Sequence, residues 1–314
     1  MQTVIQYSRL GGPEVLEVAE HSDPVPGEGK VLVDVKAAGV NPVDWKLRQG
    51  IRPSPPIETP RRLGSDASGV VAQVGPGVEG WAVGDEVVVR GASGAYTNEL
   101  VASAGKLVRK PSSVPFDQAA SLGVAAGTAY QAVKSLDPAE GSVLLIHGAS
   151  GSVGQAAIQF ARRRGVTVVG TASARNLDRV RELGAIAVEY GDGVVERVRE
   201  AVPQGVDYVL DMAGTDEALQ ASFELVADRS HIGTIVAGAK ASELGIHAWS
   251  GGSPVPLTEQ EEAWRAEGLD VALAGLADGT FQVEIGAELP LVEAAEAHRA
   301  GQAGEVRGKI VLIP

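Results

Sequence analysis

The chain of 314 residues contains no cysteine. That absence excludes disulfides, thiolate nucleophiles and every cysteine-containing zinc site. Aromatics make up only 4% of the residues. No run of 18 apolar residues occurs, and no basic segment leads into an apolar stretch. The chain therefore reads as soluble and cytoplasmic. Basic charge is in deficit: 27 Lys and Arg stand against 40 Asp and Glu, a net charge of −13. Nonspecific binding to nucleic acid or anionic lipid needs clustered Lys and Arg, so neither partner is expected. The five histidines (His21, His147, His231, His247, His298) show no HxxxH or HExxH spacing. They read as ordinary core or surface residues, and no metal site is expected.

Glycine is abundant, at 40 residues. Its most informative cluster lies in Val143–Arg164, VLLIHGASGSVGQAAIQFARRR. An apolar run, Val143–Ile146, reads as a buried strand. Gly148, Gly151 and Gly154 follow at even spacing, then Val153, Ala157, Phe160 and Ala161 recur at helical intervals. Strand, glycine turn and helix in that order are what a phosphate-binding βα turn requires. One glycine permits the turn, one lets backbone approach a pyrophosphate, and one lets helix and strand pack closely. The first helical N–H groups lack intrahelical partners and point at the anion. The spacing is GxxGxxG and not the commoner GxGxxG, and a tight turn without a ligand is the competing reading.

Residues 1–116 read as a β domain of short strands and frequent turns. Its strands include Val31–Lys36, Val70–Val74 and Glu86–Val89, and Ile51–Pro60 reads as an irregular proline-rich loop. Phe116–Leu136 is alanine-rich and reads as helix. A βαβ rhythm then runs through strands Val143–Ile146, Val166–Thr171, Ala185–Tyr190, Val206–Asp211 and His231–Ala237. Helices Leu177–Leu183, Val194–Ala201 and Glu217–Leu225 separate the later ones. Such alternation predicts a parallel sheet covered on both faces. Ser250–Pro254 reads as a loop, Thr258–Ala277 as a charged helix, Phe281–Ile285 and Gly308–Ile313 as strands, and Leu291–His298 as helix. The expected organisation is a β domain of 1–116 completed by 281–314, with a dinucleotide-binding domain over 117–280.

An acidic residue at the end of the second strand of such a unit holds the ribose 2′-OH of NAD. Here Thr171 is followed by Ala172-Ser173-Ala174-Arg175-Asn176, and the first acid is Asp178. A hydroxyl and an arginine fork suit a 2′-phosphate, which favours NADP. The competing reading makes Arg175 a solvated surface residue and Asn176 a helix cap.

Four stretches together carry a family resemblance: Asn41-Pro42-Val43-Asp44-Trp45-Lys46; Leu63–Val71 with Gly84-Asp85-Glu86-Val87; His147–Gly154; and Arg307-Gly308-Lys309-Ile310-Val311. Across nearly its whole length the chain resembles the zinc-free quinone oxidoreductase (zeta-crystallin-like) branch of the medium-chain dehydrogenase/reductase superfamily. The resemblance implies an α/β protein with a GroES-like β domain formed by both chain ends and a Rossmann doubly wound parallel-sheet domain. It implies NADPH-dependent reduction of a quinone or an α,β-unsaturated carbonyl compound. It implies contacts of Ser152, Val153 and Gly154 with the pyrophosphate, and of Ser173 and Arg175 with the 2′-phosphate. Tyr190 would cover the adenosine, Thr128 and Ala237-Gly238 would lie at the nicotinamide, and Arg307 would reach the adenosine phosphate. Asn41 and Trp45 would lie at the substrate cleft. A homodimer through a sheet edge is implied, with His231–Gly252 as the candidate segment.

The bland readings stand beside these: Asn41 as a turn residue, Tyr190 as a strand-end aromatic, Thr128 bonded to its own helix, and Asp66, Asp85 and Asp211 as structural residues. No unique proton donor stands out. Asn41, Lys46, water, or Tyr96 in an exposed loop could each polarise the substrate oxygen. Two other functions remain open, a nucleotide-binding protein with little turnover and an enoyl-thioester reductase.

Overall fold

The computed structural model describes residues 1–52, 54–249 and 252–314. The chain opens with β1 (Gln2–Tyr7) and β2 (Glu17–His21), followed by the long β3 (Lys30–Gly39) and a short helix, α1 (Pro42–Arg48). Next come β4 (Arg61–Arg62), β5 (Asp66–Val74), β6 (Glu86–Val89), β7 (Glu99–Ser103) and β8 (Leu107–Arg109). Helices α2 (Phe116–Ala119) and α3 (Gly123–Leu136) follow. The βα portion comprises β9 (Val143–His147), α4 (Ser152–Arg163), β10 (Thr167–Ala172), α5 (Leu177–Glu182), β11 (Ile186–Glu189), α6 (Val194–Ala201) and β12 (Tyr208–Asp211). It continues through α7 (Asp216–Leu225), β13 (Ile232–Thr234), α8 (Ala241–Leu244) and β14 (His247–Ala248). The chain closes with α9 (Glu259–Asp278), β15 (Ile285–Pro290), α10 (Ala294–Gln302) and β16 (Lys309–Ile313).

Two compact units emerge, one of Met1–Val124 with Asp270–Pro314 and one of Ala125–Leu269. In the first, a seven-stranded sheet runs β15-β16-β3-β5-β6-β8, with β7 paired to β3. The tail enters this sheet through β16, antiparallel to β3 at Val311↔Gly39 and Leu312↔Ala38. A three-stranded sheet, β2-β1-β4, stands beside it. Alternating apolar residues of β3 and β5, such as Val31, Val33, Val35 and Val71, meet Tyr7, Leu63, Tyr96 and Ala297 in one core.

In the second unit, six strands run β11-β10-β9-β12-β13-β14, and every pairing is parallel. Counted from β9, that is the order 3-2-1-4-5-6 of the Rossmann fold. The order reverses between β9 and β12, the crevice where ligands of such sheets bind. Strand β9 is buried along its whole length, as a central parallel strand must be.

Several elements differ from the sequence expectation. The helix over Phe116–Leu136 is broken at Ala120–Leu122. The cause is tertiary: the Asp66 Oδ1 accepts the Val124 N–H at 2.9 Å and so caps α3 from another element. The strand over His231–Ala237 stops at Thr234. There the Thr234 Oγ1 accepts the Val236 and Ala237 N–H groups, which turns the chain. The tail strand begins at Ile285, not Phe281, and the helix after it extends to Gln302 behind a single 3₁₀ turn, Leu291–Glu293. The expected loops at Ile51–Pro60 and Ser250–Pro254 fall partly outside the described residues, at Pro53, Ser250 and Gly251.

Candidate active site

In the Rossmann unit the glycine turn is fixed by close approach. Gly148 takes a left-handed backbone, with φ of 74°. A Cβ on Gly154 would stand 2.4 Å from the Gly148 carbonyl oxygen and 2.7 Å from the Ala149 Cα. Only glycine lets α4 start this near the end of β9. Gly151 is the N-cap residue of α4. The first helical bond runs from the Gln155 N–H to the Gly151 carbonyl at 2.8 Å, so the amides of Ser152, Val153 and Gly154 precede it. They form an amide cluster at the positive end of a 12-residue helix, an arrangement that suits an anion.

Beyond β10, Ser173 is partly exposed and Arg175 exposed in a 3₁₀ turn over Ala174–Asn176. Tyr190, 60% exposed, is brought next to Ser173 by its N–H bond to the Ala172 carbonyl. Asp178, the first acid, is engaged by Arg181 at 2.7 Å. Thr128 lies partly exposed on α3, and Ala237-Gly238 follow the Thr234 turn.

Behind the strand ends lies a buried hub that sequence reading treated only as a strand terminus. Asp211 accepts the Ala213 and Gly214 N–H groups on one oxygen and the Thr234 hydroxyl at 2.7 Å on the other. It therefore ties the ends of β12 and β13 together. Beside it, His147 pairs its Nδ1 with the Thr171 hydroxyl at 3.1 Å. Burial pushes the His147 pKa down to about 4, so the ring is neutral at pH 7.

In the first unit, α1 gathers the residues expected at the substrate. Asn41 is its N-cap and forms a capping box with Asp44. Asn41 is 2% exposed, and both ends of its amide are engaged. Its Nδ2 donates to the Asp66 Oδ2 at 2.9 Å, and its Oδ1 accepts from the Lys309 Nζ at 2.6 Å. The Lys309 ammonium also pairs with Asp66 at 3.1 Å, a fully buried ion pair. Trp45 is partly exposed and packs edge-on against His298, with ring centroids 5.9 Å apart.

Tyr96 corrects its expectation of exposure: it is fully buried. The ring fills the space beside Gly64, where a Cβ would lie 2.5 Å from it, and its hydroxyl donates to the Asp44 Oδ2 at 2.8 Å. The same hydroxyl lies 3.2 Å from the His298 Nε2. Arg48, fully buried, donates from Nε to the His298 Nδ1 at 3.3 Å and from its other nitrogens to the Gly11 carbonyl and the Gln302 side chain. Because Arg48 can only donate, Nδ1 must accept, which leaves the proton on Nε2 facing Tyr96. Burial, then the Arg48 charge, push the His298 pKa down to about 3. Burial raises the Asp44 carboxyl to about 7 against the pull of the Asn41 amide and Tyr96 hydroxyl.

Arg307, expected at a coenzyme phosphate, is paired with Glu284 at 2.6 Å through its Nε. Asp44, Arg48, His298 and Lys309 were not foreseen as one constellation. Asp44 and Lys309 stand in stretches that carry the resemblance, but nothing in the amino-acid order links them to each other or to His298.

Residues 27–133 match the family described as alcohol dehydrogenase GroES-like domain, and residues 183–312 match the one described as zinc-binding dehydrogenase. The second description implies zinc, but the donor set does not fit it. The chain has no cysteine, and among the described residues no three His, Asp or Glu side chains are grouped to hold an ion. A quinone oxidoreductase of Pseudomonas aeruginosa is 33% identical over 99% of both chains. The solved Escherichia coli quinone oxidoreductase complexed with NADPH matches at 26% identity and a TM-score of 0.84, over 99% of this chain and all of that one. A solved structure of an NAD-dependent alcohol dehydrogenase matches at 30% identity and a TM-score of 0.86 over the whole of both chains. Full-length identity and the paired domain matches place the chain in the quinone oxidoreductase family of the medium-chain dehydrogenase/reductase superfamily.

Proposed function

We propose that this protein is an NADPH-dependent oxidoreductase that reduces a quinone or an α,β-unsaturated carbonyl compound without a metal. The observation that carries the reading is the glycine turn at the β9/β12 switch point, where Gly154 admits no Cβ and three amides face the helix end. The quinone oxidoreductase relatives and the NADPH complex of the E. coli protein support it. Ser173 and Arg175 support NADPH over NADH, because neither repels a 2′-phosphate and both donate to it. NADPH, when bound, supplies the hydride.

The chain's own residues bind and orient. The Ser152, Val153 and Gly154 amides, with Gly148 and Gly151 shaping the turn, take the pyrophosphate. Ser173 and Arg175 take the 2′-phosphate, and Tyr190 covers the adenosine beside them. Thr128, Ala237 and Gly238 flank the nicotinamide. Arg307 reaches the adenosine phosphate by exchanging Glu284 for it. Asn41 and Tyr96 serve the acceptor through α1: the first caps the helix, and the second locks Asp44 and His298. Trp45, carried on that helix, offers an apolar wall to a flat conjugated ring. Such an acceptor spreads the charge it gains over its own π-system, which lessens the need for a Lewis acid. The protein is proposed to act in the cytoplasm as a homodimer joined through the β14 edge of the Rossmann sheet; of the candidate segment His231–Gly252, Ser250 and Gly251 lie outside the described residues.

The test is NADPH oxidation against quinones, alkenals and enoyl thioesters, with NADH as control. Turnover with quinones or enones and a preference for NADPH are expected. Oxidation of NADH alone, or activity that depends on added zinc, overturns the reading.

A further inference from the structure

Two cations stand apart from the other shielded cations of the protein. Lys46, in the last turn of α1, and Arg52, in the segment after it, are each partly buried. Neither side chain has a hydrogen bond, ion pair or ring contact among the described residues. The remaining partly or fully buried Lys and Arg side chains among those residues do; for example, Arg61 binds the Pro56 carbonyl, Arg90 Asp270, Lys110 Glu86, Arg179 Glu182 and Lys309 Asp66.

The two lie together because the chain folds back after α1. The Ile51 and Arg52 N–H groups both reach the Lys46 carbonyl, at 3.0 and 3.4 Å. Each charge is destabilised by desolvation, and Lys46 also by Arg52, so both pKa values are pulled down. The negative end of α1 accounts at most for Lys46, which stands in its last turn. Arg52 lies past the helix, and the cation that does bind backbone and side chains there is Arg48. Nor is acid in short supply, with 40 Asp and Glu in the chain. Two like charges, partly buried and without a counter-ion, are costly in a folded protein unless a ligand supplies the opposite charge.

We propose that Lys46 and Arg52 form an anion subsite next to Trp45 that takes a carboxylate or phosphate group carried by the acceptor. This deepens the function proposed above: the preferred acceptor is a conjugated carbonyl compound bearing an oxyanion away from the reacting ring or double bond. The oxyanion accepts from both cations, and the arginine offers it a planar fork.

The experiment compares a quinone bearing a carboxylate side chain with its methyl ester. Binding to the coenzyme-free protein is measured by calorimetry, and kcat and KM are measured with NADPH. Loss of one charge-assisted contact is a change of about 10- to 100-fold. The wild-type protein is expected to favour the carboxylate by a factor in that range, in Kd and in KM rather than kcat. Lys46→Met and Arg52→Met are each expected to shrink the ratio of carboxylate to ester, and Lys46→Arg to keep it. Thermal melts establish that the variants are folded. Equal affinity for acid and ester in the wild type overturns the subsite, as does an unchanged ratio in both Met variants. NADPH is titrated in parallel. If the Met variants lose NADPH affinity and keep the acceptor ratio, the anion belongs to the coenzyme and the proposal falls. Selective binding of the acid without turnover leaves the subsite standing and removes the proposed reaction instead.

Discussion

Asp44 offers the sharpest test of the network around α1. It is 1% exposed, and one oxygen accepts both the Asn41 N–H at 2.9 Å and the Tyr96 hydroxyl at 2.8 Å. Burial still wins over those two bonds and lifts its pKa from 3.8 to about 7. A raised carboxyl binds protons more tightly folded than unfolded. Its stabilising contribution is therefore complete below pH 3.8 and is lost as pH rises toward 7. The whole shift is worth about 4 kcal/mol, and the part between pH 5 and pH 8 about 2–3 kcal/mol. His298 acts in the opposite sense. Its pKa is lowered from 6.5 to about 3, so its contribution is present above pH 6.5 and is lost as pH falls. The two effects oppose each other between about pH 4 and 6.5, and the wild-type curve alone cannot separate them. Asp44→Asn removes one of them. Urea unfolding of wild type and Asp44→Asn at pH 5 and pH 8 isolates it: the variant should gain about 2–3 kcal/mol on the wild type over that interval. A difference that stays constant with pH would refute the argument, because it would mean that Asp44 ionises as freely folded as unfolded.

Other perturbations have equally definite outcomes. Gly154→Ala places a methyl 2.4 Å from the Gly148 carbonyl, a contact with backbone that no rotamer relieves. It should cost about 1–3 kcal/mol of stability and weaken NADPH binding, read by chemical unfolding and coenzyme titration. Arg175→Ala should weaken NADPH binding about 10- to 100-fold with little effect on NADH, read by fluorescence titration; an unchanged preference would remove Arg175 from the coenzyme site. Lys309→Met strands Asp66 and the Asn41 carbonyl oxygen in the interior. A loss of about 3–5 kcal/mol follows from an uncompensated buried carboxylate, and Lys309→Met combined with Asp66→Asn should recover part of it in a denaturation series.

What could be read in the amino-acid order is what local chemistry dictates. The β9 turn was legible because its three glycines, the strand before and the helix after fall within about twenty residues, and Gly148 and Gly154 each answer a backbone demand at their own positions. The parallel sheet was legible from its alternation with helices. Two of the misread boundaries share one cause, a side chain arriving from elsewhere or bonding out of pattern. Asp66 caps α3 across 58 residues and breaks the helix read over Phe116–Leu136. Thr234 turns β13 with its hydroxyl.

The buried constellation around α1 was illegible for the same reason on a larger scale. Tyr96 meets Asp44 across 52 residues and His298 across 202, and Lys309 meets Asp66 across 243. No window contains both members of any of these pairs, so Tyr96 read as an exposed loop residue and His298 as an ordinary core or surface one. Lys46 and Arg52 are harder still, since their significance is a lack of neighbours, which only the folded chain defines. Backbone-level recognition, such as a pyrophosphate on helical amides, is written in short motifs and can be read from them. Recognition by side chains depends on which charges the fold compensates and which it leaves open. The coenzyme reading therefore rests on residues close in sequence, while the choice of acceptor rests on residues that only the fold brings into register.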